Sequence, residues 1–430
     1  MTRLTEAHGG LQTFNTETDE GMPANKTDED KPDKKRTRRG FMKAAGVATL
    51  GAVVTSRAAH SLSVNTLARA RELLVYVGTY TSGTKSEGIY LYRLNLADGS
   101  LTRVSVTGGV SNPSYLTLDR ARRFLYAVEE TEEFEGAKSG AVSAFALERT
   151  DGSLRFINRQ ASMGGAPCYV NADNKGRFVL VANYSGGNVA VLPVKKGGGL
   201  GKATDVRQDS GSGPVRERQE GPHAHSVMLD PSNHHAYSCD LGTDKVMAYD
   251  FDSRRGSLTP ASQPFVSLKS GAGPRHLTFD RAGRHVYVLN ELDSTVTAFA
   301  RERASGALRE LKTYPMLPAD FKGENTGADI HLTPDGHFLY CSNRGHDRLA
   351  AFRVDARAGE LTPAGHTPTG GKTPRNFAVD PTGRFLLVAN QRSDNVVTFR
   401  IEPSTGALAP TGHTAEIPSP VCLKLTAPFS

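Results

Sequence analysis

The stretch GPHAHSVMLDP sets His223 and His225 one residue apart behind a glycine–proline turn. Two such imidazoles could ligate a metal, form a general acid–base pair, or sit as polar residues at the entrance of a strand. Spacing alone leaves all three open. Other chemically capable residues follow: Arg275 and His276 in GPRH, Glu291 in LNEL, Asp329 in GADIHL, Arg344 in SNRGHD, and Arg375 and Asn376 in PRNF. Histidine or glutamate can take a proton from water, and arginine offers a permanently charged fork of donors for an oxyanion, carboxylate or phosphate. That chemistry requires the fold to bring these distant residues together.

The elements that would do so are repeats. An alternating strand ending in a glycine turn recurs seven times, as IYLYRLNLADGSLT, AVSAFALERTDGSLRF, NVAVLPVKKGGGLG, KVMAYDFDSRRGSLTP, TVTAFARERASGALRE, RLAAFRVDARAGELTP and NVVTFRIEPSTGALAP. Glycine at each tip supplies the positive φ of a tight hairpin. Each copy follows an apolar strand: LLVYVGTY, FLYAVEE, FVLVANY, HAYSCDL, HVYVLNE, FLYCSNR or FLLVANQ. A further strand precedes six of these. The first unit lacks one, and PVCLKLT at the C-terminus supplies it. Seven four-stranded units, with the last strand completing the first, define an all-β, seven-bladed propeller over residues 62–430. A pair of β-sandwiches would not explain the displaced strand. The chain has no tryptophan, which excludes a WD-repeat propeller.

Aligning the repeats on their Asp-and-turn signature gives three registers. At the mouth of the inner strand stand Ser114, Cys168, His225, Arg275, Ala328 and Arg375. One residue later come Tyr115, Tyr169, Ser226, His276, Asp329 and Asn376. At the far end of the second strand come Glu130, Tyr184, Leu241, Glu291, Arg344 and Gln391. Because the first two strands of a blade are antiparallel, these registers meet at one end of the channel. His225, Arg275, Arg375, Glu291 and Arg344 are therefore expected around one mouth. Arginine at the neighbouring positions repels cations, so no metal is expected there. His223 lies two residues farther out, where capping is its simplest role.

The remaining features bound the partners. The net charge of +7 is mild, and the basic residues beyond the leader are scattered, which disfavours nucleic acid. TRRGFMK, with Arg38, Arg39, Phe41 and Lys43, precedes the weakly apolar AAGVATLGAVVT and looks like a twin-arginine export signal. Residues 1–61 are read as that leader, cleaved near 57–63, and the mature protein as periplasmic or extracellular. The export machinery is its expected partner there, and no membrane span is expected once the leader is removed. Cys168, Cys239, Cys341 and Cys422 match neither a metal knuckle nor a CxxC motif, and no disulfide is expected. A closed ring leaves few free strand edges, so a monomer is expected. The glycine–serine stretch Ser210–Pro214 reads as a flexible loop near the site rather than a phosphate cradle.

At these residues the chain resembles the seven-bladed propeller lactonases, which include bacterial 6-phosphogluconolactonases and fungal carboxymuconate-lactonising enzymes. The resemblance spans residues 73–426 and is most specific in RQEGPHAHSVMLDP, GPRHLTFDRAGRHVYVLNEL and GADIHLTPDGHFLYCSNRGHD. It implies catalytic roles for His225, Arg275, Glu291 and Arg344, and is silent on Arg375. It also implies opening of a small-molecule lactone by water, without a cofactor. His225 or Glu291 would be the base, and Arg275 and Arg344 would hold the carbonyl oxygen or a substrate anion. Arg375, His276, His223, Asp329 and Asn376 would line the substrate. The competing reading of Glu291 and Arg344 is a cross-blade ion pair that orders the mouth. Export argues for a sugar lactone or related carboxylated lactone. The alternatives are a non-catalytic propeller binding a small anion or a protein partner, and a muconate-type cycloisomerase.

Overall fold

The computed structural model describes residues 70–429. The leader and its twin-arginine motif lie outside the described residues. Among the described residues, seven four-stranded antiparallel sheets form the blades. Blade 4 shows the pattern: Ala224–Leu229 innermost, then His235–Asp240, Lys245–Asp252 and Ser257–Ser267 outward. Blade 1 is closed as the repeats require. The C-terminal strand Pro420–Thr426 pairs antiparallel with Glu72–Thr79, and it abuts the innermost strand of blade 2, Leu116–Leu118. Two elements are absent from the repeat pattern: a two-stranded hairpin, Glu133–Phe134 with Ala137–Lys138, inserted in blade 2, and a short 3-10 turn, Gln391–Ser393, in blade 7.

The core lies between blades. One apolar cluster joins Tyr287, Leu289 and Val296 of blade 5 to Ile330, Leu339 and Cys341 of blade 6. At roughly 1.5–3 kcal/mol for each large side chain buried, these interfaces hold the ring together. Tyrosines of the second strands add a polar stitch. The Tyr76 hydroxyl donates to the Gly152 carbonyl at 2.6 Å, and Tyr340 donates to Gly406 at 2.7 Å, each reaching the hairpin tip of the next blade. Gly406 has φ 72°, and a Cβ there would sit 2.3 Å from the Phe338 ring, so both conformation and space demand glycine.

The Asp-and-turn signature has a physical basis. Asp119 Oδ1 accepts from the backbone N–H groups of Arg123 and Phe124 at 2.6 and 2.8 Å, closing the turn between first and second strands. Asp173 and Asp230 repeat the contact, and Thr333 substitutes in blade 6 by accepting from Phe338 N–H at 3.1 Å. Fixing this turn fixes which residues face one another at the strands' other end.

All four cysteines are buried and free. Among the described residues no helix is long and apolar enough to cross a membrane, and no three His, Cys, Asp or Glu side chains group as metal ligands.

Candidate active site

A recurrent β-bulge builds the site. In the inner strands the pairing skips one residue between Pro167 and Tyr169, Ala224 and Ser226, Pro274 and His276, and Pro374 and Asn376. The skipped residues are Cys168, His225, Arg275 and Arg375. A bulge re-aims the side chain it carries and ends regular pairing, so one irregularity repeated around the ring turns these side chains toward a common mouth. Blade 6 bulges at Ala328 and Asp329, and blade 1 at Val421.

Glu291 is held by three guanidiniums. Its Oε1 lies 2.6 Å from Arg218 Nη2, and its Oε2 lies 2.9 Å from both Arg275 Nε and Arg344 Nη2. The Arg275 Nε contact is an ion pair without hydrogen-bond alignment, whereas Arg275 Nη1 donates to the Ala328 carbonyl. Arg344 Nη2 also donates to the Gly327 carbonyl at 2.8 Å. Glu291 and Arg275 are each 2% exposed. Burial alone would raise the Glu291 pKa, but Arg344, Arg275 and Arg218 together bring it down to about 2. Burial pulls Arg344 down to about 10 against the support of Glu291. The sequence-level alternative of a cross-blade ion pair is thus present in the geometry, and with three cations rather than one.

Across the mouth a second carboxylate behaves differently. Glu130 is half-buried and accepts from the Tyr80 hydroxyl, 2.9 Å from both its oxygens, and from the Ser114 hydroxyl. Arg375 donates to Tyr80 Oη at 2.8 Å and lies over its ring, 5.4 Å from the centroid. Arg375 is thereby held above the ordinary arginine range: burial opposes this, and Tyr80 and Glu130 outweigh it.

His225 sits between these clusters, 5% exposed, edge-on to Tyr184 at 5.4 Å and to His276 at 5.3 Å. Its Nδ1 lies 3.7 Å from Cys168 Sγ. Burial first, then the charges of Arg275, His276 and Arg375, hold its pKa well below the ordinary imidazole value, so the ring is neutral at neutral pH. Burial keeps Cys168 a thiol.

The remaining sequence-derived residues occupy two other places. His276, Asp329 and Asn376 form the channel floor. Asp329 Oδ1 is 2.8 Å from His276 Nδ1, its Oδ2 is 2.9 Å from His331 Nε2 and accepts from Asn376, and Asn376 Oδ1 accepts from Leu423 N–H at 2.7 Å. Stacked Tyr115 and Tyr169, 4.1 Å apart, complete the plug. Burial, with Arg275, takes His276 down to about 3. His223 stands outside the ring, stacked on Tyr184 at 4.4 Å, with Nδ1 3.0 Å from the Tyr184 carbonyl and Nε2 3.1 Å from Glu220. Its ring thus packs on Tyr184 with both nitrogens beside protein oxygens.

Tyr80 and Arg218 were not among the residues singled out from sequence. Tyr80 ends the second-strand register in blade 1, which lacks the Asp turn used for alignment. Arg218 comes from the loop before blade 4, whose position no repeat fixes. That loop, read as flexible, is tethered: the buried Gln219 donates to the Leu241 carbonyl and to Asp244, both at 2.8 Å.

The mouth thus combines a neutral imidazole, four guanidiniums and two carboxylates above a closed floor. A cavity beside them, lined by Ser114, Glu130, Cys168, Arg275, His276 and Arg375 and bordered by neither His225 nor Glu291, has free volume of about 10 Å³, room for one water. A neutral imidazole beside clustered guanidiniums on a propeller supplies groups that opening of an ester could use. The lactonase seven-bladed β-propeller family matches residues 74–425, and the chain belongs to that family. It is 37% identical over 305 residues to the 6-phosphogluconolactonase of Bacillus subtilis, covering 71% of this chain and 84% of that protein. It is 34% identical over 311 residues to the 6-phosphogluconolactonase of Formosa agariphila, with 71% and 86% coverage. The solved periplasmic gluconolactonase of Pseudomonas aeruginosa superposes with a TM-score of 0.77 at 38% identity, over 83% of this chain and 99% of that one.

Proposed function

We propose that this mouth hydrolyses a sugar lactone, with His225 as the base and the arginines as the oxyanion and anion clamp. The observation that carries the assignment of roles is the three-guanidinium hold on Glu291, which leaves both its oxygens engaged and its pKa at about 2. Such a carboxylate is a poor proton acceptor near neutrality and has no free oxygen, whereas the neutral His225 has a ring nitrogen free to accept, as a weak base whose depressed pKa substrate charge must offset. Nε2 of His225, on the far side of the ring from Cys168, takes a proton from water as its oxygen bonds to the lactone carbonyl. Arg275 stabilises the resulting oxyanion. Collapse breaks the ring C–O bond, and the proton returns from His225 to the leaving alkoxide.

The guanidinium field that keeps His225 neutral also opposes its protonation. Substrate relieves this, because negative charge developing beside Arg275 and Arg375 offsets the cations that depress His225. The four guanidiniums exceed the two carboxylates, so the mouth retains positive charge for an anionic group. Arg218, from a loop and with 37% of its side chain exposed, is placed to move and admit a ring larger than the cavity. The twin-arginine motif and the periplasmic relative support an exported protein, handled by the twin-arginine machinery and active as a monomer on lactones outside the cytoplasm.

The test is proton release by the purified protein with a panel of sugar and carboxylated lactones, beside His225→Ala and Arg275→Ala. Losses of about a hundredfold or more in both variants support the assignment. Absence of turnover on every lactone, with tight arginine-dependent anion binding, replaces it with a binding propeller.

A further inference from the structure

The two carboxylates of the mouth are not equally available. Glu291 does not border the cavity, is 2% exposed and spends both oxygens on arginine. Glu130 borders the cavity, is half-buried, and is held by hydroxyls rather than guanidiniums. A carboxylate offers about four lone-pair sites, so the Tyr80 and Ser114 hydroxyls leave Glu130 able to accept from a ligand. We propose that Glu130, with Tyr80, Ser114 and Arg375, is a polyol subsite that binds ring hydroxyls of the substrate and sets a preference for hydroxylated over unsubstituted lactones. This rests on the lactonase reading above.

Three observations carry it. The ligands Glu130 already holds are two hydroxyl groups, from Tyr80 and Ser114, which is the chemistry a pair of sugar hydroxyls would continue. Arg375 donates to Tyr80 at 2.8 Å and Tyr80 donates to Glu130, so a hydroxyl here lies between a guanidinium and a carboxylate, a setting that suits a group able to accept and donate. The opposite side sets three guanidiniums against the single Glu291, which suits an anion. A hydroxyl can donate to Glu130 while accepting from Arg375, so the pair reads both faces of the same group. A second carboxylate on the ligand would instead meet Glu130 as a like charge.

The residues are specificity-determining, and the readout is a ratio that a merely structural role would not move. Wild type, Glu130→Gln and Tyr80→Phe are compared on D-glucono-δ-lactone and on δ-valerolactone, the unhydroxylated ring. Glu130→Gln is expected to reduce kcat/KM for the hydroxylated lactone at least about tenfold more than for valerolactone, and Tyr80→Phe about threefold more. Equal losses on both lactones, or an unchanged ratio, overturn the subsite. Tyr80→Phe serves alone if Glu130→Gln does not fold. If wild type opens neither of these nor any lactone of the panel, the hydrolase reading fails separately. Calorimetric binding of gluconate against hexanoate then decides: a gluconate preference reduced about tenfold by Glu130→Gln supports the subsite, and an unchanged preference overturns it.

Discussion

Glu130 and Glu291 occupy the same register at the end of the second strand, in blades 2 and 5, yet their surroundings give them different capacities. The backbone delivers each to the mouth in the same way. In blade 5 the bulged inner-strand neighbour is Arg275, and Arg344 and Arg218 close in from blade 6 and a loop. In blade 2 the corresponding neighbour is Ser114, and a tyrosine hydroxyl takes the place of a cation. A propeller repeats a geometry; the neighbouring blades decide what that geometry can do.

Removing each carboxylate should break this symmetry most visibly. Glu291→Ala leaves three guanidiniums, two of them largely buried, facing one another without a counter-charge, and a loss of about 3–5 kcal/mol is expected by chemical denaturation. Glu130→Ala, half-exposed and paired with hydroxyls, should cost about 1 kcal/mol. Equal costs would mean that the arginine clamp does not hold the ring.

Asp209 sharpens the comparison as a buried carboxylate with no arginine partner. Burial, together with Asp240, pushes its pKa up to about 7, against the Tyr249 hydroxyl and Lys245. Its folded pKa therefore exceeds its unfolded value of about 3.9, so its charge costs nothing below pH 4, increasingly destabilises between pH 4 and 7, and costs most above 7. Asp209→Asn should stabilise the protein by about 1–3 kcal/mol at pH 8 and hardly at all at pH 4, read from paired denaturant midpoints. Glu291 carries the opposite sign. Its pKa of about 2 lies below its unfolded value, so its contribution is present above about pH 4.3 and lost as pH falls toward 2. The buried neutral His276, at about 3, adds a loss that begins as pH falls below about 6.5, because the unfolded chain takes the proton first.

Arg218→Ala should give the smallest effect. One of three cations leaves Glu291 from a side chain that is 37% exposed, so stability should change by less than about 1 kcal/mol and turnover by about tenfold. A collapse as large as that of Glu291→Ala would make the loop, rather than the ring, the keystone of the mouth.

Much of this was legible in the sequence because the fold is periodic. The displaced strand PVCLKLT announced ring closure, and the Asp turns set the registers that gathered His225, Arg275, Glu291, Arg344 and Arg375. What escaped was aperiodic. Arg218 hangs on a loop outside the repeat, and the Glu133–Lys138 hairpin is an insertion. Tyr80 was periodic yet hidden, since blade 1 borrows its inner strand from the other end of the chain and so lacks the turn that marks the rest. The channel floor was half visible: the sequence placed His276, Asp329 and Asn376 in one register, but their bonds to one another depend on side-chain reach that repeats do not encode.

The central claim is that a buried, neutral His225 activates water while Glu291 only orders the arginines. It is tested most directly by kcat/KM for glucono-δ-lactone from pH 4.5 to 7, in wild type and in His225→Gln, because that parameter reports the free enzyme's essential groups. The account predicts no inflection near 6.5 in wild type and a loss of about a hundredfold or more across the whole range in the variant. An acid limb at 6.5 or above, or a variant within about threefold of wild type, would contradict it.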